Sequence, residues 1–238
     1  MTEIKIENLN KYYGKVHALK DVSLEIEKNS LFGLLGINGA GKTTLIKILT
    51  CLSFPQSGKA EIEGVSVTEN PDEIKKIVDV SPQETAVAPN LTVKENLEFF
   101  ASLYGINDKE YVSSVIDAFS LGEVLNRKTK TLSGGWKRRV SIAIGIISKP
   151  KILFLDEPTL GLDVIARREL WKIIKKLKGK ITIILTTHYL EEAEALCDKV
   201  AIMTKGEVCA VGKPEDLIKA SGTNNFEDAF IKITEGEL

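Results

Sequence analysis

The chain has 238 residues, 43% apolar and 27% charged, and its 32 basic and 33 acidic side chains leave a net charge of −1. That balance offers no basic excess for nucleic acid, and the longest apolar run, VSIAIGII at 140–147, falls far short of the roughly 20 residues a bilayer span needs. Three cysteines (Cys51, Cys197, Cys209) without a CxxC spacing, and only two histidines (His17, His188), point to reduced, buried thiols of a cytosolic protein and away from a metal cluster.

The first third reads as short strands. EIKIEN (3–8) and VSLEIE (22–27) alternate apolar and polar residues, as half-buried antiparallel strands do, whereas SLFGLLG (30–36) is continuously apolar, as in a strand covered on both faces. A helix is predicted from Gly41 to about Leu49, broken by Pro55 and Ser57-Gly58, and alternation returns at KAEIEGVSV (59–67). The charged, alternating start MTEIKIENLN does not read as a signal peptide.

The middle reads as helical. Thr92 and Glu95 form a capping-box pattern ahead of Val93, Leu97, Phe100 and Tyr104 on one face, with Gly105 as the stop. Asp108 can cap a second helix, and a third carries Trp136, Val140, Ala143, Ile144 and Ile147 at helical spacing up to Lys149-Pro150. The last third alternates again: a strand KILFLD (151–156), a helix through Leu170, Ile173, Ile174 and Leu177, a strand ITIILTT (181–187), a helix over 188–197 and a hairpin at Lys205-Gly206. From Pro214 the pattern predicts a short helix and a polar end. Strand–helix alternation with apolar strands implies an α/β fold around a mainly parallel sheet.

Two stretches carry the chemistry. GINGAGKTT comprises Gly36, Ile37, Asn38, Gly39, Ala40, Gly41, Lys42, Thr43 and Thr44, and fits GxxxxGKT directly after a buried strand and at the start of a helix. Its glycines let backbone N–H groups turn around phosphate oxygens, Lys42 supplies a cation for the outer phosphates, and the Thr43 hydroxyl can ligate Mg²⁺. KILFLDEP places Asp156 at the end of an apolar strand, where it can hold Mg²⁺, and follows it with Glu157, the candidate general base for an attacking water. A second glycine-rich stretch, LSGGWKRR (132–139), also opens a helix and reads as another anion cradle.

These motifs, in this order from about residue 3 to 215, resemble the ATP-binding subunits of ABC transporters. The resemblance implies a P-loop NTPase core in a single domain spanning 1–238, with an N-terminal antiparallel β subdomain, an inserted α-helical subdomain at about 84–148 and a short tail at 214–238. It assigns Tyr13 in KYYG, with Tyr12 as a rival, to adenine stacking of the kind that contributes about 1–3 kcal/mol per nucleic-acid base. Gln83 becomes a sensor of γ-phosphate and metal, His188 a switch histidine beside the γ-phosphate, and Asp163 part of the loop TLGLD. Ser133, Gly134 and Gly135 would close on the ATP held by the phosphate loop of a second subunit, either another copy or a related ATPase. Ile37 stands where proline is common and Trp136 where glutamine is usual; the Trp136 ring is expected to pack on the helical region, with the nucleotide's ribose as the other position open to it.

On this resemblance the chain is expected to bind MgATP on the inner face of the cell membrane, with a transmembrane permease as partner. NLTVKENLEFFASLYGI (90–106) and the ending NNFEDAFIKITEGEL (224–238) resemble the multidrug and natural-product exporter branch. The alternative left open is an ATPase of the same family working in assembly, translation or repair.

Overall fold

The computed structural model describes residues 2–236. In chain order the first half contains β1 (Thr2–Tyr13), β2 (Val16–Glu27), β3 (Leu31–Leu35), α1 (Lys42–Leu49), β4 (Ser57–Ile62), β5 (Val65–Ser66), α2 (Pro71–Ile74), β6 (Val78–Ser81), α3 (Val93–Leu103) and α4 (Lys109–Ala118). There follow α5 (Gly134–Ile147), β7 (Ile152–Asp156), α6 (Val164–Leu177), β8 (Thr182–Thr187), α7 (Leu190–Leu196), β9 (Lys199–Thr204), β10 (Glu207–Gly212), α8 (Pro214–Ser221) and α9 (Phe226–Glu235).

The strands form two sheets. Antiparallel β2-β1-β4-β5 is one; the other has the order β10-β9-β3-β8-β7-β6, parallel from β9 to β6 with β10 antiparallel at its edge. Strand alternation distributes the core. Leu31, Leu35, Leu153, Leu155, Ile183 and Leu185 face one cluster with α3 to α7 and α9. Phe32, Leu34, Ile152, Phe154 and Ile184 face the other, where α1 is covered by the apolar side of the antiparallel sheet. Each such fully buried side chain contributes about 1.5–3 kcal/mol relative to exposure.

Local signals in the middle are realised as read. Thr92 accepts from the Glu95 N–H at 3.1 Å while the Glu95 carboxylate accepts from the Thr92 N–H at 2.7 Å. Asp108 caps α4 through the Tyr111 N–H at 2.9 Å.

The structure corrects four expectations. β1 and β2 are twelve residues each, longer than the alternating patterns at 3–8 and 22–27. Register shifts, one of them between Ile6 and Leu9 around left-handed Asn8 (φ 48°), break the two-residue period that marks a strand in sequence. β6 was not foreseen: VDVS is four residues long and follows Lys75-Lys76, too short for periodicity to register, yet it pairs in parallel with β7 from Val78↔Ile152 to Ser81↔Leu155. The tail does not end in a polar segment after its first helix, because α9 turns Phe226, Ala229 and Ile233 into the core. Cys51 and Cys197 are buried as expected, but Cys209 is exposed on the edge strand β10.

Phe226 ties α9 to the core. Phe226→Ala should lower stability by about 3–5 kcal/mol, read from urea unfolding, and a loss below about 1 kcal/mol would mean that α9 does not dock as described.

Candidate nucleotide site

Parallel pairing brings four loops to one edge. β3, β8, β7 and β6 are consecutive neighbours, and the chain leaves their C-terminal ends into Gly36–Gly41, His188, Glu157 and Gln83 respectively. There a cleft of about 890 Å³ is lined by Asn38 to Thr44, Gln83, Glu157 and His188.

The phosphate loop is shaped by steric necessity. Gly36 has φ 155°, and a Cβ there would lie 2.3 Å from the Met203 carbonyl oxygen. Gly41, at φ 103°, would bring a Cβ within 2.8 Å of the Ala18 carbonyl oxygen. The hairpin turn at Lys205-Gly206 braces the loop, with the Gly206 N–H donating to Ala40 O at 3.2 Å. Lys42 Nζ folds back onto Gly36 O at 2.6 Å and Ile37 O at 3.2 Å. Burial pushes Lys42 below the ordinary lysine range, and the Glu157 and Asp156 carboxylates pull it back up.

Thr186 on β8 organises the acidic pair. Its hydroxyl donates to Asp156 Oδ1 at 2.5 Å. The Glu157 N–H approaches Thr186 O at 3.1 Å and Oγ1 at 3.0 Å. Glu157 itself holds φ 46°, a left-handed conformation costly for a glutamate, and its Oε1 lies 3.1 Å from His188 Nδ1.

The Gln83 segment is held from below. Buried Arg138 donates through Nη1 to Pro82 O at 2.6 Å and through Nη2 to Gln83 O. Reading the sequence missed this role, because Arg138 stands among cations at 137–139 and nothing in the order of residues shows which of them reaches the Gln83 segment. His17, Lys20 and Lys205 also line the cleft unforeseen; they arrive from the β1–β2 hairpin region and from the β9–β10 turn.

Tyr13 does not line this cleft. It is 47% exposed, with Lys11 Nζ 5.2 Å from its ring centroid, and so stands outside the core. Tyr12, 43% exposed, stacks on cleft-lining His17 with ring centroids 3.9 Å apart.

The second cradle lies elsewhere. Ser133, Gly135, Trp136 and Asp163 line a separate depression of about 330 Å³ that shares no lining residue with the first. Ser133 starts α5 without spending its hydroxyl on a cap, whereas Asp163 caps α6 through the Ile165 and Ala166 N–H groups, both at 2.9 Å. The helices that open these two cradles, α1 and α5, lack both acidic first-turn residues and side-chain caps. By contrast α2, α3, α4, α7, α8 and α9 all carry an acid in the first turn. Both N-termini therefore keep their partial positive charge for an external anion. The Trp136 ring is half-buried against the core beside α5, with the Arg139 guanidinium 4.5 Å from its centroid.

Among the described residues no group of three or more His, Cys, Asp or Glu is arranged to hold a metal. A cation at the first cleft would rely on the oxygens of Thr43, Gln83 and Asp156 and on phosphate, a donor set suited to Mg²⁺.

Comparison with known proteins agrees with this architecture. The family model described as ABC transporter matches residues 19–160. The linearmycin resistance ATP-binding protein of Bacillus subtilis is 37% identical over 235 residues, covering 97% of this chain and 74% of its own. An Escherichia coli chain described as a probable multidrug ABC transporter ATP-binding protein is 36% identical over 242 residues; this chain spans 98% of itself there but only 42% of that longer relative. Among solved structures, an ATP-binding subunit of an ABC transporter superposes with TM-score 0.86 at 28% identity over 98% of this chain and 99% of that one. A dimeric post-hydrolysis cassette bound to ADP and Pi gives 0.77 at 26% identity over 88% and 98%.

The placement of Trp136 makes it a packing residue first. Trp136→Gln should leave ATP turnover within about tenfold, equivalent to ~1.4 kcal/mol, and a loss beyond about a hundredfold would give the indole a direct part in the reaction. Fold, motif order and family match converge: this chain belongs to the ABC transporter family as an ATP-hydrolysing, ATP-binding subunit.

Proposed function

We propose that two chains, this one and a second copy or close relative, close head to tail around two MgATP and drive export through a separate membrane permease. The observation that carries this reading is the separation of the two cradles within one chain. The stretches Gly36–Thr44 and Ser133–Gly135 each end at an uncompensated helix N-terminus, yet Asn38 to Thr44 line one depression and Ser133 and Gly135 another. A twofold axis lets each complete the other, giving two composite sites from one interface.

In each site Gly36, Ile37, Asn38, Gly39, Ala40 and Gly41 wrap the phosphates, with Lys42 leaving its loop carbonyls for the outer phosphate oxygens. Thr43, Gln83 and Asp156 would hold Mg²⁺, which would supply positive charge to offset that of the phosphates. Thr44 adds a hydroxyl at the start of α1, and Tyr13, on the exposed end of β1, is left to meet adenine from the rim. Glu157 orients a water and takes its proton as the water oxygen attacks the γ-phosphorus, releasing ADP and phosphate. His188, 3.1 Å from Glu157, holds that carboxylate in line and reaches the γ-phosphate. Ser133, Gly134 and Gly135 of the opposing chain cover the same phosphate, with Asp163 beside them. ATP then bridges the chains, and its cleavage releases them.

The permease would be met from the helical region. Phe99 and Leu103 stand exposed on α3, and a groove of about 480 Å³ lies between α3 and α4. No helix among the described residues is long and apolar enough to cross a membrane. On this reading the pathway belongs to the partner and the chain works on the inner face of the membrane. Export is the direction indicated by relatives named for linearmycin resistance and Nod factor export.

Glu157→Gln should lower turnover by about 10²–10⁴ and accumulate an ATP-bound dimer on size-exclusion chromatography with MgATP. A variant with full turnover, or one that stays monomeric at saturating ATP, would overturn the reading. Affinity purification from solubilised membranes should recover a polytopic partner, and a clean dimer without one would reassign the chain to a non-transport role.

A further inference from the structure

A buried polar knot lies beneath the Glu157–His188 pair. Its centre is Glu192 on α7, fully buried although nothing in the proposed reaction uses it. Trp171 on α6 donates its indole N–H to Glu192 Oε1 at 2.9 Å. Glu192 Oε2, Thr159 Oγ1 and Arg167 Nε are three of the buried polar atoms without a partner at hydrogen-bonding geometry among the described residues, and all border this knot. Burial pushes the Glu192 carboxyl above the ordinary glutamate range, against the hydroxyls of Thr187 and Thr159, the Trp171 indole and the Arg167 charge.

The groups around this carboxyl come from the loops that carry Glu157 and His188 and from α6. Thr159 is two residues past Glu157, and Thr187 immediately precedes His188. Trp171 and Arg167 belong to α6, whose N-terminus is capped by Asp163. Arg138, which grips the Gln83 segment, lies within electrostatic reach of both Asp156 and Glu192. An apolar residue at 192 would be buried equally well and would avoid the desolvation cost of a carboxyl. What it would lose is the one group that faces the Glu157 loop, the His188 loop and α6 together.

We infer that Glu192 is a positioning residue: its carboxyl holds the loops of Thr159 and Thr187 against α6 and so fixes Glu157 and His188 relative to each other. The inference rests on the roles proposed above for that pair. Its physical basis is that a small displacement of a base from its water costs far more in rate than in binding, since nucleotide is gripped by the separate phosphate loop. Polar contacts are strengthened in a low-dielectric interior, so this buried cluster ties its elements together even with some of its atoms unpaired.

The test compares Glu192→Ala and Glu192→Gln by steady-state turnover, by affinity for a fluorescent ATP analogue and by thermal unfolding. Glu192→Ala should lower kcat by about 10- to 100-fold, the scale for misplacement by an ångström or so, while nucleotide affinity stays within about threefold. Glu192→Gln keeps an acceptor for Trp171 and a polar group for the threonines, and should recover most of the lost kcat. An alanine variant with normal kcat, or one losing nucleotide affinity in parallel with kcat, would overturn the inference, as would a glutamine variant no better than alanine. Should the alanine variant not fold, Trp171→Phe removes only the indole donor; it should reduce kcat by about 2- to 10-fold at unchanged affinity, and an unaltered kcat would overturn the inference just the same. Glu157→Gln run alongside separates the two claims. Full turnover there refutes the assigned base, whereas a dead Glu157→Gln with a normal Glu192→Ala refutes only the role of Glu192.

Discussion

The register between β7 and β8 is the constraint on which the hydrolytic end depends. Asp156 stands opposite Thr186, so one hydroxyl reaches the Asp156 carboxylate while the same residue receives the Glu157 N–H. A slip of one residue would turn every side chain on the strand to the other face and remove both contacts. The left-handed backbone of Glu157 costs on the order of 1–3 kcal/mol and persists because Thr186 holds its amide. That register is enforced in turn by the apolar alternation of Leu153, Phe154, Leu155, Ile183, Ile184 and Leu185 between two core clusters.

From this arrangement comes a division of labour. Phosphate binding is built on α1 and the glycines before it, braced by the β9–β10 turn. Alignment of the proposed base is built on β7, β8 and the helices behind them, where Arg138 and Glu192 are buried and Trp171 is partly buried. The two systems meet at the cleft and along the β3–β8 pairing. The second cradle, at the start of α5, faces a different depression, and the proposed head-to-tail pairing follows from that separation.

Much of the cleft was legible from residue order because its residues act through local backbone geometry. GxxxxGKT needs only a preceding strand and a following helix, both marked by apolar pattern, and KILFLDEP marks its acidic pair by ending an apolar strand. The capping pairs Thr92–Glu95 and Asp108–Tyr111 are likewise contained within one turn. What stayed hidden involved partners distant in sequence. β6 is too short to show a period and is defined by pairing with β7, seventy-odd residues later. α9 looked polar because only Phe226, Ala229 and Ile233 are fully buried, with Phe230 partly so. Nothing in the local pattern around Arg138 and Glu192 marks them as buried; neighbouring elements decide it.

The sequence by itself determined the element types, the phosphate-binding loop, the acidic pair and the family likeness, since each follows from short-range periodicity, steric freedom at glycine or residue chemistry at fixed spacing. Only the tertiary structure decided that Gln83, Glu157 and His188 share one cleft with that loop while Ser133 and Asp163 lie outside it, and that Glu192 sits buried beneath them. The reason is physical: which charges lose water, and which loops become neighbours, depends on strand order and packing between segments far apart along the chain, and no local pattern encodes that.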